Sequence, residues 1–346
     1  MKISLQKSFF GETKKELLQY GEFKINTLRY ASGVEALEVI NAKCSFIFTP
    51  FKGQQIWHFT VNGEEISMLT TVKEPQDTTV YLENYGGFLY HCGLISFGAP
   101  DKTHPHHGEL PNAQYKNCFI LCDEDEKGKF IILGGETEHN TAFIRGYKFS
   151  PQIKLYENEC IFKINVCIEN MRSYPLEYMY LCHLNFKPIN GAKLIYNAEN
   201  DVIIYPTAES EEMNKYKLKL QENPRIMDNI GNKDEMYDPE ICFGIKYIPD
   251  KDGRAHTLQY TENGACYVSH PVKELPYGIR WISRTQQEDS LGMVLPATAE
   301  HLGYKNAKEK AQIKTVNPNE KLEFYLEAGF LFKEEADKMK EYIENY

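Results

Sequence analysis

The sequence lacks the features that mark several large classes of protein. Its 39 basic residues are outnumbered by 49 acidic ones, for a formal net charge of −10, whereas a nucleic-acid groove needs a basic field. No run of apolar residues approaches the roughly 20 that span a bilayer. The glycine patterns of phosphate-binding loops, dinucleotide folds and nucleophile elbows are also missing. We therefore expect neither a nucleic-acid partner nor a membrane partner.

Disulfide motifs and a secretion signal are lacking as well. The nine cysteines are odd in number and include no CxxC pair, so a disulfide framework is not expected. Residues 1–21 have neither the apolar core nor the small-residue cleavage site of a secretory signal. Both observations favour a reducing compartment, and we predict a cytoplasmic location.

Alternation of apolar and polar residues with a period of two dominates the chain. In residues 160–169, apolar side chains fall on one face and polar ones on the other, as in a half-buried strand. Similar short runs recur between turn signals, and the clearest helical pattern covers residues 333–346. We predict one all-β antiparallel sandwich domain over residues 1–346, with its core at about 25–332 and a short C-terminal helix. The polar segment 209–235 is interpreted as an excursion within that domain.

The densest group of chemically active side chains lies in residues 103–112. Three of the ten histidines, His104, His106 and His107, stand there beside Glu109 and between two prolines. Proline and glycine interrupt a regular ladder, so these side chains converge in a loop or at a strand end. They could serve in acid–base chemistry or ligand contact. Alternatively, His104, His106 and Glu109 could bind a divalent metal, or the cluster could only cap backbone groups.

Two further segments place polar groups beside apolar strands. His183 and Asn185 share one face of a predicted strand, and they need hydrogen-bond partners if they are buried. Glu300 and His301 follow an apolar strand at its end, where functional sites collect. Each pair also fits a structural role, as satisfied core groups or as a polar turn.

Two isolated residues are candidates for contact with a hydroxyl-rich ligand. Trp281 could stack on a sugar ring and Arg145 could orient hydroxyl groups. Core packing for Trp281 and an exposed strand charge for Arg145 are the alternatives.

Several segments together resemble the bacterial branch of the aldose 1-epimerase-like family, within the galactose mutarotase superfamily. They are residues 86–94 (GGFLYHCGL), 103–108 (THPHHG) and 183–186 (HLNF), in this order, with 50–56 also fitting the pattern. The resemblance spans roughly residues 25–332. It implies a β-supersandwich with a sugar-binding cleft on one concave sheet face.

The resemblance also implies roles for individual residues. In mutarotases a histidine protonates the ring oxygen and a glutamate takes the proton of the anomeric hydroxyl, so that the ring opens and recloses as the other anomer. His183 resembles the acid and His107 a second histidine that orients the substrate. At the position of the family's glutamate this sequence has Leu295 or Pro296, which cannot accept a proton. We predict that Glu300 replaces it, with His301 as the alternative.

These observations predict an aldose 1-epimerase-type isomerase that acts on a monosaccharide or small sugar derivative without a cofactor or metal. The predicted catalytic residues are His183, Glu300 and His107. The predicted substrate-binding residues are His104, Glu109, Asn112, Arg145, Asn185, Trp281 and His301. Two alternatives stay open. One is a carbohydrate-binding or sensing protein that lost the base, and the other is a sugar isomerase or epimerase that uses the histidine cluster. The oligomeric state is not predicted.

Overall fold

A computed structural model describes residues 1–204, 218–223, 225–232 and 236–346. Part of the polar segment 209–235 therefore lies outside the described residues. The described chain is built from two large sheets whose neighbouring strands run antiparallel. The prediction of an all-β sandwich is confirmed, while the assignment of a single domain stays a prediction.

The first sheet has ten strands among the described residues. From one edge to the other they are β1 (Lys2–Ser4), β9 (Lys116–Asp125), β10 (Gly128–Thr141), β11 (Arg145–Phe149), β13 (Ile161–Asn170), β23 (Lys321–Phe332), β19 (Gly264–Pro271), β18 (Arg254–Thr261) and β15 (Lys193–Tyr196), with β12 (Gln152–Tyr156) beside β10 and β13.

The second sheet has thirteen strands in the same described ranges. In order they are β16 (Ala198–Ile204), β17 (Tyr237–Tyr247), β20 (Tyr277–Arg284), β21 (Asp289–Ala297), β14 (Leu176–Leu184), β8 (Leu89–Leu94), β6 (Gln55–Val61), β5 (Cys44–Thr49), β4 (Glu35–Ile40), β3 (Phe23–Arg29) and β2 (Lys15–Tyr20), with β22 (Lys314–Val316) beside β14 and β7 (Glu64–Glu65) beside β6.

Helices are short and few in the part of the chain that is described. The α-helices are α1 (Tyr304–Glu309) and α2 (Lys333–Glu344), and residues 218–222 are also helical. Single 3-10 turns occur at Lys7–Phe9, Tyr81–Asn84, Leu110–Asn112 and Ile226–Asp228. Helix α2 confirms the predicted C-terminal helix, and it buries Ala336 and Ile343 against β18 and β19 of its own sandwich. No described helix is long and apolar enough to cross a membrane.

The second sheet is apolar on both of its faces. Along β14, Tyr180 and Cys182 point into the main core between the sheets, whereas Met179 and Leu181 belong to a separate cluster on the outer face. This alternation follows from the period of two in a strand. An antiparallel sheet that faces water carries polar side chains on that side, so the outer cluster needs a cover, and loops provide it.

Candidate functional site

A cavity of about 280 Å³ lies on the outer face of the second sheet. Side chains of β14, β21, β20 and β17 form its floor, and the segments 81–85 and 98–107 supply much of its wall. Ligand pockets usually measure about 300–1,000 Å³, so this cavity suits a ligand the size of one sugar ring. A larger groove of about 1040 Å³ lies elsewhere, near Glu65 and Lys187, and none of its lining residues is a histidine.

His183 projects from β14 into this cavity and is held by an amide. Its Nδ1 lies 2.6 Å from Asn185 Oδ1. Asn185 Nδ2 donates to the carbonyl oxygen of Gly87 at 3.0 Å, and Tyr85 Oη donates to Asn185 Oδ1 at 3.1 Å. The amide oxygen therefore faces the imidazole and can only accept. The neutral ring carries its proton on Nδ1, which leaves Nε2 as a hydrogen-bond acceptor.

His107 has the opposite arrangement. The backbone N–H of Gly98 donates to His107 Nδ1 at 3.3 Å, so the neutral ring carries its proton on Nε2 and that atom is a donor. The rings of His107 and His183 lie nearly perpendicular, at 88°, with centroids 5.2 Å apart. One imidazole of the pair thus offers a hydrogen-bond acceptor and the other a hydrogen-bond donor.

A glycine allows the two histidine-bearing loops to meet. Gly98 has a φ of +83°, and a Cβ there would lie 1.8 Å from the carbonyl oxygen of His301. Because Gly98 has no side chain, Ala99 N can donate to that carbonyl at 3.0 Å. On the other side of the loop, Gly93 N donates to the carbonyl oxygen of His107 at 3.0 Å. These backbone contacts bring His107 and His301 to the same cavity.

The imidazoles around the cavity are neutral at physiological pH. Burial lowers the pKa of His183 to about 3 and that of His301 to about 4. Burial, together with the neighbouring imidazoles, holds the pKa of His107 well below its usual range, and burial also lowers the pKa of His106. A neutral imidazole has one nitrogen that donates a hydrogen bond and one that accepts, so each of these rings can make one contact of each kind.

A carboxylate and an indole complete the cavity. Trp281 Nε1 donates to Glu240 Oε2 at 2.7 Å, and the Trp281 ring lies 5.6 Å from that of His183. Glu240 is exposed at the cavity wall. Its carboxylate can accept a hydrogen bond from a sugar hydroxyl, and the Trp281 ring gives an apolar surface for a sugar face.

The structure brings together only part of the predicted site. His107, His183, Trp281 and His301 all line the cavity, and Asn185 contacts His183. Their roles in catalysis and binding stay predictions.

Glu300 does not line the cavity with them. Its carboxylate accepts hydrogen bonds from Lys310 Nζ at 2.7 Å and from Gln312 Nε2 at 2.9 Å. His301, the next residue, lines the cavity instead. The buried Glu300 carboxylate therefore pairs with the half-exposed Lys310 and lies outside the cavity lining. This position does not support its role as the base, which stays a prediction.

Four other predicted residues also lie outside the cavity. His104 contacts Asp101 through Nδ1 at 2.9 Å and stacks on Tyr304. Asn112 Oδ1 accepts from Asn84 Nδ2 at 2.9 Å. Arg145 lines a separate groove of about 380 Å³. Glu109 accepts hydrogen bonds from the backbone N–H groups of Leu94 and Ile95 and from the Tyr147 hydroxyl. His104, Asn112 and Glu109 hydrogen-bond to neighbouring loops and strands, and none of the four side chains lines the cavity.

The metal-binding alternative for His104, His106 and Glu109 is not supported. Glu109 and His104 have separate partners, whereas His106 stacks on His107 with ring centroids 4.4 Å apart. Across the described ranges, no group of three or more His, Cys, Asp or Glu side chains is arranged to hold a metal ion.

The sequence analysis missed several lining residues. Glu240 and Cys242 share one face of β17 by the period of two, which is a signal that was available. Tyr81 and Tyr85 lie at the start and just beyond the end of a single 3-10 turn, which no sequence periodicity predicts. Cys242 Sγ lies 3.7 Å from His301 Nδ1. Burial raises the pKa of the Cys242 thiol well above its usual value, so this thiol stays protonated and is not a ready nucleophile.

Glu109 is expected to make stability depend on pH. Burial raises the pKa of its carboxyl to about 7, so the folded state binds the proton more tightly than the unfolded chain does. Its contribution to the free energy of unfolding therefore falls as pH rises from about 4.5 to 7. We expect the wild type to lose up to about 3 kcal/mol relative to Glu109→Gln across this window.

Chemical denaturation of both proteins at pH 4.5, 5.5, 6.5 and 7.5 measures this difference. The histidines of the cavity titrate in both proteins and cancel in the comparison. Parallel curves for the wild type and the variant would show that Glu109 does not titrate in this range.

Comparisons with known proteins identify a family and a fold. The sequence model of the family described as "Domain of unknown function (DUF4432)" matches residues 31–329. No curated protein matches the chain. A solved candidate aldose 1-epimerase from Klebsiella pneumoniae is similar with a TM-score of 0.82 and 14% identity, covering 96% of this chain and 91% of that one.

Two other solved structures are similar with lower TM-scores. A galactose mutarotase-like protein from Clostridium acetobutylicum gives a TM-score of 0.60 at 13% identity, covering 90% of this chain and 98% of that one. A candidate aldose 1-epimerase from Escherichia coli K12 gives 0.51 at 11% identity, with coverages of 92% and 99%. At these identities the likeness shows the fold, which is the galactose mutarotase-like sandwich that the sequence motifs imply.

Proposed function

Because this chain belongs to the DUF4432 family and has a galactose mutarotase-like fold, we propose that it is an aldose 1-epimerase-type isomerase acting on a small sugar. The observation that carries the proposal is the pair of perpendicular imidazoles, His107 and His183, whose hydrogen bonds give them opposite tautomers. Interconversion of anomers needs the removal of a proton from the anomeric hydroxyl and the delivery of a proton to the ring oxygen. Within one cavity, His183 Nε2 can remove the proton and return it, and His107 Nε2–H can hydrogen-bond to the ring oxygen that receives it.

In the proposed reaction, His183 Nε2 takes the proton of the anomeric hydroxyl and, as an imidazolium, delivers it to the ring oxygen. His107 Nε2–H donates a hydrogen bond to the ring oxygen and stabilises the negative charge that develops there, so His107 stays neutral throughout. The bond between C1 and the ring oxygen breaks as the C1 carbonyl forms, so the open-chain aldehyde is neutral. Rotation about C1–C2 and the reverse proton transfers close the ring as the other anomer. Each histidine ends in its starting tautomer, so no net proton is consumed.

These roles differ from those that the family resemblance implies. The resemblance makes His183 the acid, whereas Asn185 Oδ1 holds the proton of His183 on Nδ1 and leaves Nε2 to accept. Glu240 is the carboxylate of the described cavity lining, and it takes the role of a hydroxyl-binding group next to Trp281. The site then needs no contribution from Glu300.

The proposal is tested by anomer exchange. Purified protein is mixed with freshly dissolved α-anomers of neutral aldoses, including galactose, glucose, fucose and rhamnose, and optical rotation is followed against buffer and against heat-denatured protein. We expect saturable acceleration of the approach to equilibrium for at least one sugar. If no sugar is accelerated, the proposal of catalysis fails.

Melting temperatures measured on the same protein preparations distinguish a sugar-binding protein from an enzyme. A sugar that raises the melting temperature without faster anomer exchange would favour the carbohydrate-binding alternative.

A further inference from the structure

Part of the cavity floor is a patch of aliphatic side chains. Ile279 and Leu295 are direct neighbours on β20 and β21, and Leu181 stands on β14 beside Ala297. All three line the cavity and each is at least 97% buried. We call Leu181, Ile279 and Leu295 the aliphatic patch. Leu295 is one of the two residues at the position where the family resemblance leads one to expect a carboxylate.

The patch is expected to discriminate against hydroxyl groups. Ile279 and Leu295 pair with each other in the sheet and Leu181 pairs with Ala297, and the side chains of the patch carry no hydrogen-bonding atoms. A hydroxyl that contacts the patch would lose water without gaining a partner, which is costly. A methyl group at the same place gains by burial.

The charges of the cavity lining restrict the ligand further. Among the described residues that line it, Glu240 carries the only formal charge at neutral pH, since the histidines are neutral and no lysine or arginine takes part. A phosphate or carboxylate on the ligand would find no cationic partner here and would be repelled by Glu240. The described lining therefore favours an uncharged ligand.

We propose that the substrate is an uncharged deoxy sugar whose terminal methyl group, in place of a hydroxymethyl group, contacts the aliphatic patch. This inference rests on the proposed function for the reaction but not for the binding preference. The hydroxyl groups of the sugar face the histidines and Glu240, and the methyl group points to Leu181, Ile279 and Leu295. The preference over the hydroxymethyl analogue is about tenfold or more in kcat/KM.

Matched pairs of sugars test the inference. Anomer exchange and the shift in melting temperature are measured for L-fucose against L-galactose, L-rhamnose against L-mannose, and D-fucose against D-galactose. Each pair differs only in the terminal oxygen. We expect at least one pair in which the deoxy sugar is favoured about tenfold in kcat/KM, with a larger melting shift at equal concentration.

Variants locate the preference in the patch. Leu295→Thr places a hydroxyl there and is expected to reduce the ratio for that pair to about threefold or less. Ile279→Thr is a second variant with the same expectation, so that a folding failure of one leaves the other. Ile144→Ser, at a solvent-exposed position outside the cavity, is the matched control and keeps the ratio.

The outcomes separate the two proposals. Exchange of several sugars with no preference within any pair overturns the deoxy-sugar inference and leaves the isomerase proposal standing. Larger melting shifts with deoxy sugars and no exchange overturn the isomerase proposal and leave the inference standing. A preference that both patch variants retain overturns the assignment to the patch, and absence of both exchange and melting shift overturns both proposals.

Discussion

Replacing His183 with alanine is expected to lower kcat/KM for anomer exchange by about 100- to 10,000-fold, the range that a positioned proton-transfer group supplies. The reason is that Asn185 holds the proton of His183 on Nδ1, so the variant loses the acceptor atom, Nε2, in the cavity. Rates measured by polarimetry with the best sugar of the panel check the expectation. The melting temperature of the variant is recorded as well, because His183 is buried.

His139→Ala is the matched control for this experiment. His139 lies on β10 in the other sheet, where it stacks on Tyr147, and it is not a cavity residue. We expect its rate to stay within about twofold of the wild type, a difference that distant surface changes rarely exceed. A His183 variant that folds and keeps more than a tenth of the wild-type rate would contradict the proposed proton transfer by His183.

The second large effect is an expected contrast between two separate variants, Glu240→Gln and Glu300→Gln. Glu240→Gln should lower kcat/KM by about 10- to 100-fold, because a hydrogen bond to a charged group contributes about 1.5–3 kcal/mol and this carboxylate also holds Trp281. Glu300→Gln should leave kcat/KM nearly unchanged. It should instead lower the free energy of unfolding by about 0.5–2 kcal/mol, because it removes the charge that pairs with the half-exposed Lys310 at 2.7 Å.

Kinetics and chemical denaturation of the two variants in parallel measure this contrast. Each variant is the control for the other, since both replace a glutamate by its neutral isostere. An inactive Glu300→Gln beside an active Glu240→Gln would restore the role that the sequence assigned to Glu300.

The fold and half of the site followed from local patterns. The period of two along residues 178–186 predicts that His183 and Asn185 share a face, and they do lie within hydrogen-bonding distance. The same rule extends to β17, where it would have found Glu240. Patterns of this kind work because a sheet imposes the same alternation on every strand.

Residues beyond the strand ends could not be placed in this way. Glu300 and His301 are adjacent in sequence, but only the second lines the cavity, and the direction of Glu300 depends on Lys310 and Gln312. The Glu109 carboxylate accepts hydrogen bonds from backbone N–H groups about fifteen residues earlier in the chain. The direction of such a side chain depends on partners that are distant in sequence and lie in irregular segments. No periodic pattern in the sequence predicts those contacts.

The two imidazoles of the cavity come from different kinds of structure. His183 is fixed in β14, in the middle of the sheet, whereas His107 belongs to a loop that rests on β8 through a few backbone contacts. Substitutions in the loop can therefore retune the hydrogen-bond donor while the acceptor and the sandwich stay as they are. In the proposed isomerase, changes confined to the connecting loops would therefore alter which hydroxyl groups are recognised without altering the sandwich.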